Sequence, residues 1–323
     1  RFTLTVDYYF KKTRDLLQDV NIAPSNGFER KMINSAHVTN QGLEISAGAF
    51  ILPSTPVKWN LRANISLNRN KVGGLSGDQY ATRLWFAADQ VFIQRNGMPI
   101  GAIYGYVEDG YYDNLAEVMS DPDPAVRNKG KAMIGEIKYR DLDGKPGITS
   151  SDRAIIGNTN PDFIFGLTNN LEWNNFTLSM LFQGSVGNDI FNGNLLDVKM
   201  SEIRNIPSFA YENRWTSDNT ANAQWPKAVS GYEREWKISN RYVEDGSYLR
   251  LKNITLGYDW NKPFKGVRKI SFFISASNLF TITKYSWFDP EVNAFGTDAS
   301  RRGVDCYSYP GSRSYSFGFN LTI

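Results

Sequence analysis

The sequence predicts an all-β chain, an antiparallel transmembrane barrel segment with long extracellular loops, and three observations predict it. Segments spread along the 323 residues alternate apolar and polar side chains with a period of two, as strands do between two different surroundings. The connections alternate short and long, as in barrels with tight periplasmic turns and large external loops. Aromatic residues stand beside each short turn, at the place of an interfacial girdle: Trp59, Trp173 with Phe176, and Tyr258 with Trp260.

The first strand places Phe2, Leu4, Val6, Tyr8 and Phe10 on one face. Between Phe10 and Gly42 the chain reads as a polar connection of the exposed-loop kind. Leu43, Ile45, Ala47, Ala49 and Ile51 line the second strand, and Pro53-Ser-Thr-Pro56 turns the chain, since proline cannot continue a ladder. From Val57 to Asn68 the alternation has no error. A long connection then runs to Asp162, with a helix around Leu115–Val118 and two glycine-flanked pieces, Gly101–Gly110 and Gly135–Gly144, expected to pair as a hairpin.

Phe163–Trp173 and Phe176–Gln183 form a hairpin across Asn174-Asn175, a type I′ pair. A second long connection leads to Val243–Tyr258. There Ile254, Leu256 and Tyr258 share a face, but Leu249 and Leu251 fall out of phase with them. A one-residue slip reverses every side chain, so the pattern calls for a bulge near Lys252, or for an upper half packed against something else as the wall leaves the bilayer. A turn with Pro263 and Gly266 leads to Lys269–Asn278, and Ser314–Ile323 alternates to the last residue.

Periodicity alone suits a soluble β-sandwich as well, for instance a carbohydrate-binding module with its apolar face inward. Eight strands, or ten with the loop hairpin, could also close a complete small barrel acting as adhesin or pore. Hydrophobic residues at 41% and aromatics at 14% can cover a large apolar surface. A net charge of +3 is too slight to argue for nucleic acid. Cys306, the only cysteine, excludes an internal disulfide and reads as an incidental loop residue. His37 reads as a rim residue, and Asp121 with Asp123 as solvated loop charge. There is no Walker A, G-x-S-x-G or H-E-x-x-H pattern, so an enzyme is not expected. No apolar run reaches the about 18 residues of a transmembrane helix. The chain opens with Arg1 already inside a strand, which suggests a piece of a longer polypeptide.

Several motifs are specific: Gly135-Glu-Ile-Lys-Tyr-Arg-Asp-Leu-Asp-Gly144, Asp152-Arg-Ala-Ile-Ile-Gly-Asn158 with Asn160-Pro-Asp162, Gly246-Ser-Tyr-Leu-Arg-Leu-Lys-Asn-Ile-Thr-Leu-Gly-Tyr258, and Asn278-Leu-Phe280 followed by Lys284-Tyr285 and Asp289-Pro-Glu291. In these the chain resembles the C-terminal part of SusC/RagA-type TonB-dependent outer-membrane transporters. The resemblance implies about 8–10 strands of a larger, plugged barrel of the 22-stranded class. Residues 1–323 would be barrel, 72–162 and 184–246 large extracellular loops, and the plug domain would lie outside this chain. It further implies import of oligosaccharides or peptides across the bacterial outer membrane, a SusD-like lipoprotein lid, and energy from the TonB complex through the missing N-terminal part.

Loop aromatics are the candidates for substrate contact, because sugar faces and apolar peptide groups pack on them: Trp85, Tyr111, Tyr112, Trp215, Trp225, Trp236 and Trp287. The family's acidic loop resembles a Ca²⁺ loop with oxygen ligands at alternate positions. Here Asp141, Asp143 and Asp152 remain as metal candidates, while Lys145 takes a carboxylate's place and Pro146 that of the turn glycine. No other cofactor is expected.

Overall fold

A computed structural model describes residues 2–21, 30–51, 56–80, 90–201, 205–230, 234 and 237–323. Eight strands form one antiparallel meander: β1 (Phe2–Asn21), β2 (Arg30–Ile51), β3 (Val57–Gly73), β4 (Phe163–Trp173), β5 (Phe176–Val186), β6 (Tyr248–Phe264), β7 (Val267–Thr283) and β8 (Ser314–Thr322). β1 and β8 do not pair with each other, so the eight strands form an open wall and not a closed small barrel.

The register gathers the alternating apolar residues into continuous rows. One row runs Ile51, Trp59, Leu171, Leu178, Leu256, Ile274, Phe317 across seven strands. The next row toward the short turns is aromatic: Trp173, Phe176, Tyr258, Phe272 and Phe319, with the Phe176 and Tyr258 rings 4.8 Å apart. This outer face is uncovered, Phe317 being 89% exposed. Among the described residues no second sheet packs on it, which is not the arrangement of a sandwich. An apolar area of this extent is not tolerated in water and suits a bilayer. The opposite, inner face carries Asn60, Asn64, Thr168, Ser179, Gln183 and Thr255, and loop residues lie against its upper part.

Two local expectations are corrected and one open alternative is decided. Between Phe10 and Gly42 the chain is not a loop but the continuation of β1 and β2, paired as far as Asn21 opposite Arg30. Ala36, Val38 and Leu16 pack there on Val72, Leu75 and Ile100, and the register shifts around Leu16 break the period-two signal while the ladder continues. Asn174 has φ 50° but Asn175 is not among the positive-φ residues; the turn therefore has the φ signs of type II′, not I′. The phase break is a bulge. Leu181 pairs with Asn253 and Phe182 with Leu251, skipping Lys252, while β7 compensates at Asn278, with φ 53°. Leu249 and Leu251 thereby return to the outer face beside Phe280 and Ile282, and the apolar wall does not end at Lys252. The turn at Pro53 lies outside the described residues.

The long connections build a layer of their own. Ala102–Gly105 pairs with Ala154–Asn158 and Phe92–Gln94, and Glu108–Tyr111 with Ile137–Tyr139. The expected loop hairpin is thus realised only in its second half, and it does not join the wall. Asp189–Asn192 sits between Val243–Asp245 and Val304–Asp305, tying two connections together. Phe92, Ile103, Phe191, Tyr242 and Val304 meet in a dry core between them. Cys306 belongs to this core and is not incidental: burial, with Asp305 and Asp197 nearby, pushes its thiol pKa up to about 12, which leaves it unreactive.

Candidate functional site

Where the loop layer meets the inner wall there is a polar cavity of about 580 Å³. The strands contribute Asn64, Ser66, Gln183, Ser185 and Tyr248, which alternate with outer-face residues on β3, β5 and β6 and therefore point inward. The loops contribute Asn188, Glu291, Asn293 and Arg302. Amides, hydroxyls and a guanidinium of this kind can exchange hydrogen bonds with sugar hydroxyls or peptide groups. Sequence reasoning missed these residues, because each looks like an ordinary polar position of a strand or loop until the register turns it inward.

The sequence-derived aromatics do not converge on this cavity. Trp225 is 6% exposed and forms part of the loop core. Tyr111 and Tyr112 are buried, the Tyr111 hydroxyl accepting from Arg241 and the Tyr112 hydroxyl donating to Asp121 at 2.6 Å. Trp215 donates to Asp113 and lies against Gly135, where φ is 79° and an added Cβ would meet its ring. Trp287 packs on the loop core. Trp85 and Trp236 lie outside the described residues. The most open loop aromatics among the described residues are Phe288, Tyr307 and Tyr309, the last 93% exposed.

Asp141, Asp143 and Asp152 do come together, with one oxygen of each within 4.8 Å of the others. Their lone pairs are largely taken. Asp152, fully buried, accepts from the amides of Thr149 at 2.7 Å, Leu142 at 2.9 Å and Asp143 at 3.2 Å. Asp141 accepts from Gly144 N, Asp143 from Lys145 N, and the Lys145 ammonium lies 3.5 Å from Asp143. Burial alone would raise the Asp152 pKa, but these amides hold it below the ordinary carboxylate value. The set fits a self-satisfied turn better than an ion, since a cation would have to displace backbone donors and tolerate Lys145. Asp152→Asn should cost about 1–3 kcal/mol by leaving a buried donor against donors. The measurable result is faster proteolysis within residues 140–152, and unchanged cleavage there would refute it.

No family model matches the chain. It is 34% identical over 339 residues to TonB-dependent receptor P3 of Formosa agariphila, a match covering 99% of this chain and 32% of that receptor. Against the TonB-dependent receptor SusC of Bacteroides thetaiotaomicron it is 27% identical over 327 residues, covering 99% of this chain and 30% of SusC. Over 99% of its length the chain is similar to TonB-dependent receptors, SusC among them. It spans about a third of the length of these relatives. The fold of this chain matches a chain of the RagAB peptide transporter with a TM-score of 0.74 at 22% identity, over 99% of this chain and 33% of that one.

In this chain, two motifs far apart in sequence meet beside the cavity. Arg250 of the Gly246–Tyr258 segment is buried on the inner face and bonds Asp289 at 2.5 Å, Thr281 at 2.8 Å and Glu291. Glu291 also accepts from Tyr248 and Gln183, both at 2.9 Å, and from Lys252 at 3.2 Å. Asp289 caps the amides of Glu291 and Gly311. The bulge at Lys252 is what lets Arg250 point inward while Leu249 and Leu251 stay outside.

Proposed function

We propose that this chain forms barrel wall and external layer of an outer-membrane importer that takes up oligosaccharides or peptides with TonB-derived energy and a SusD-like lipoprotein partner. The observation that carries the reading is an uncovered apolar outer face on a chain aligned over 99% of its length with TonB-dependent receptors. The outer rows suit lipid, and the amide-rich inner face suits a wet lumen. The layer built by the long connections would stand on the extracellular side, opposite the girdle row of Trp173 and Phe176. The cavity beneath it is where a polymer too large for a porin would first meet the wall. The work assigned to these residues is binding and passage, not catalysis.

The test is uptake of labelled oligosaccharide and peptide pools by cells with and without the full-length gene. Loss of one of the two classes, also abolished by a protonophore, is the expected result. Unchanged uptake of both would overturn the reading.

A further inference from the structure

The outer face ends in a cationic row. On β1, β2 and β3 the register is unbroken from Phe2 opposite Ala49 to Thr13 opposite Val38, and from Ile51 opposite Trp59 to His37 opposite Gly73. The apolar rows on these strands therefore extrapolate without ambiguity. Tyr8, Leu43 and Leu67 form the last row that is wholly aromatic or aliphatic. Phe10, Gln41 and Arg69 follow, then Lys12, Thr39 and Lys71. Arg69 is committed to Asp162 at 2.7 Å. Lys12 and Lys71 are exposed, and neither has an ion-pair or hydrogen-bond partner among the described residues.

The heights agree with a bilayer. From Val57 to Leu67 the outer residues of β3 span ten steps of about 3.3 Å, which at a typical tilt of about 40° is about 25 Å, the height of an outer-membrane apolar band. Lys71 stands four residues further, about 10 Å above that edge, at headgroup depth for a flexible lysine stem. Lys12 and Lys71 flank Thr39 on neighbouring strands, about 10 Å apart across two strand spacings. Two ammonium groups and a hydroxyl at that level can share one phosphorylated headgroup.

We propose that Lys12, Thr39 and Lys71 form a binding site for the phosphate of an outer-leaflet lipid. The occupant follows from charge complementarity and from continuity of the row with the lipid-facing wall, and the proposal rests on the membrane reading above. A lipid held there would brace β1 and β2, which continue above the top of β3 as a two-stranded ribbon.

The experiment uses the full-length receptor in detergent and native mass spectrometry with added lipid A, intact or stripped of its phosphates. Intact lipid A should bind in preference to the stripped form, and 500 mM salt should weaken it relative to 50 mM. The Lys12→Gln/Lys71→Gln variant should bind it at least about tenfold more weakly, at about 1 kcal/mol per basic residue, while Lys265→Gln at a short turn should not. Equal binding of the two lipids, or equal binding by the double variant, would overturn the site. So would a double variant that keeps lipid but loses a co-purifying protein, which would mark the row as a protein interface. If no lipid is retained and the receptor is absent from the membrane fraction, the membrane reading falls and the site with it. Absence of lipid from a receptor that is in the membrane overturns the site alone.

Discussion

Leu178→Arg in the full-length receptor is expected to lower outer-membrane assembly several-fold. Leu178 lies within the outer apolar row, between Leu171 on β4 and Leu256 on β6. An arginine there must either strip its guanidinium of water in hydrocarbon or distort the wall to reach an interface. Leu178 stands one row inside the girdle, so the cost falls between the midplane and interface values, about 1–2 kcal/mol, a factor of roughly five to thirty in the assembled fraction. The matched control is Thr177→Arg. Its side chain points to the inner face, opposite Glu172 and Gly257, where water and a carboxylate receive the charge. Heat-modifiable mobility in gels of the membrane fraction reads both. The lipid-facing assignment would be refuted by Leu178→Arg assembling at the parental level, or by the two substitutions failing equally.

This contrast was legible from the sequence, because strand phase is a local property. Ile254, Leu256 and Tyr258 announce their face within five residues, and the misfit of Leu249 and Leu251 points to a bulge before any coordinates are known. The upper halves of β1 and β2 were not legible. Polar residues such as Lys11, Lys12, Asn34 and Asn40 look like loop residues, and the register shifts around Leu16 put the few apolar residues there out of phase, although the backbone ladder continues. The loop core was hidden for another reason. Phe92, Phe191 and Val304 come from three separate connections, and short pieces of two to four residues carry no periodicity to read. The aromatic candidates failed to gather because a buried tryptophan such as Trp225 and an exposed residue such as Tyr309 are indistinguishable without that core. The cavity depended on inward-facing amides, whose direction requires the exact register of three strands.

Arg250→Ala should release the connection 284–313 from the wall. The substitution leaves Asp289 and Glu291 without their guanidinium in a place where Asp289 is buried. Removing one member of a buried ion pair costs about 3–5 kcal/mol, most of it the penalty for the charge left behind. Arg250→Lys should restore little, because one ammonium cannot serve Asp289, Glu291 and Thr281 in the planar fork that Arg250 uses. Removing the whole charge set, as Arg250→Leu with Asp289→Asn and Glu291→Gln, should recover much of the loss, as buried pairs replaced together often do. The network also sets an acid limit. Burial would raise the Asp289 pKa, but Arg250 and the amides of Glu291 and Gly311 hold it below the ordinary carboxylate value. A depressed carboxylate contributes stability above its unfolded pKa of about 3.9, and that contribution is lost as pH falls through the folded value. Limited proteolysis of residues 284–313 should therefore be slow in the parent at neutral pH, fast in Arg250→Ala at the same pH, and fast in the parent only in strong acid. Equal protection of parent and Arg250→Ala at neutral pH would show that the loop core around Val304 holds this connection by itself and that the arginine anchors nothing.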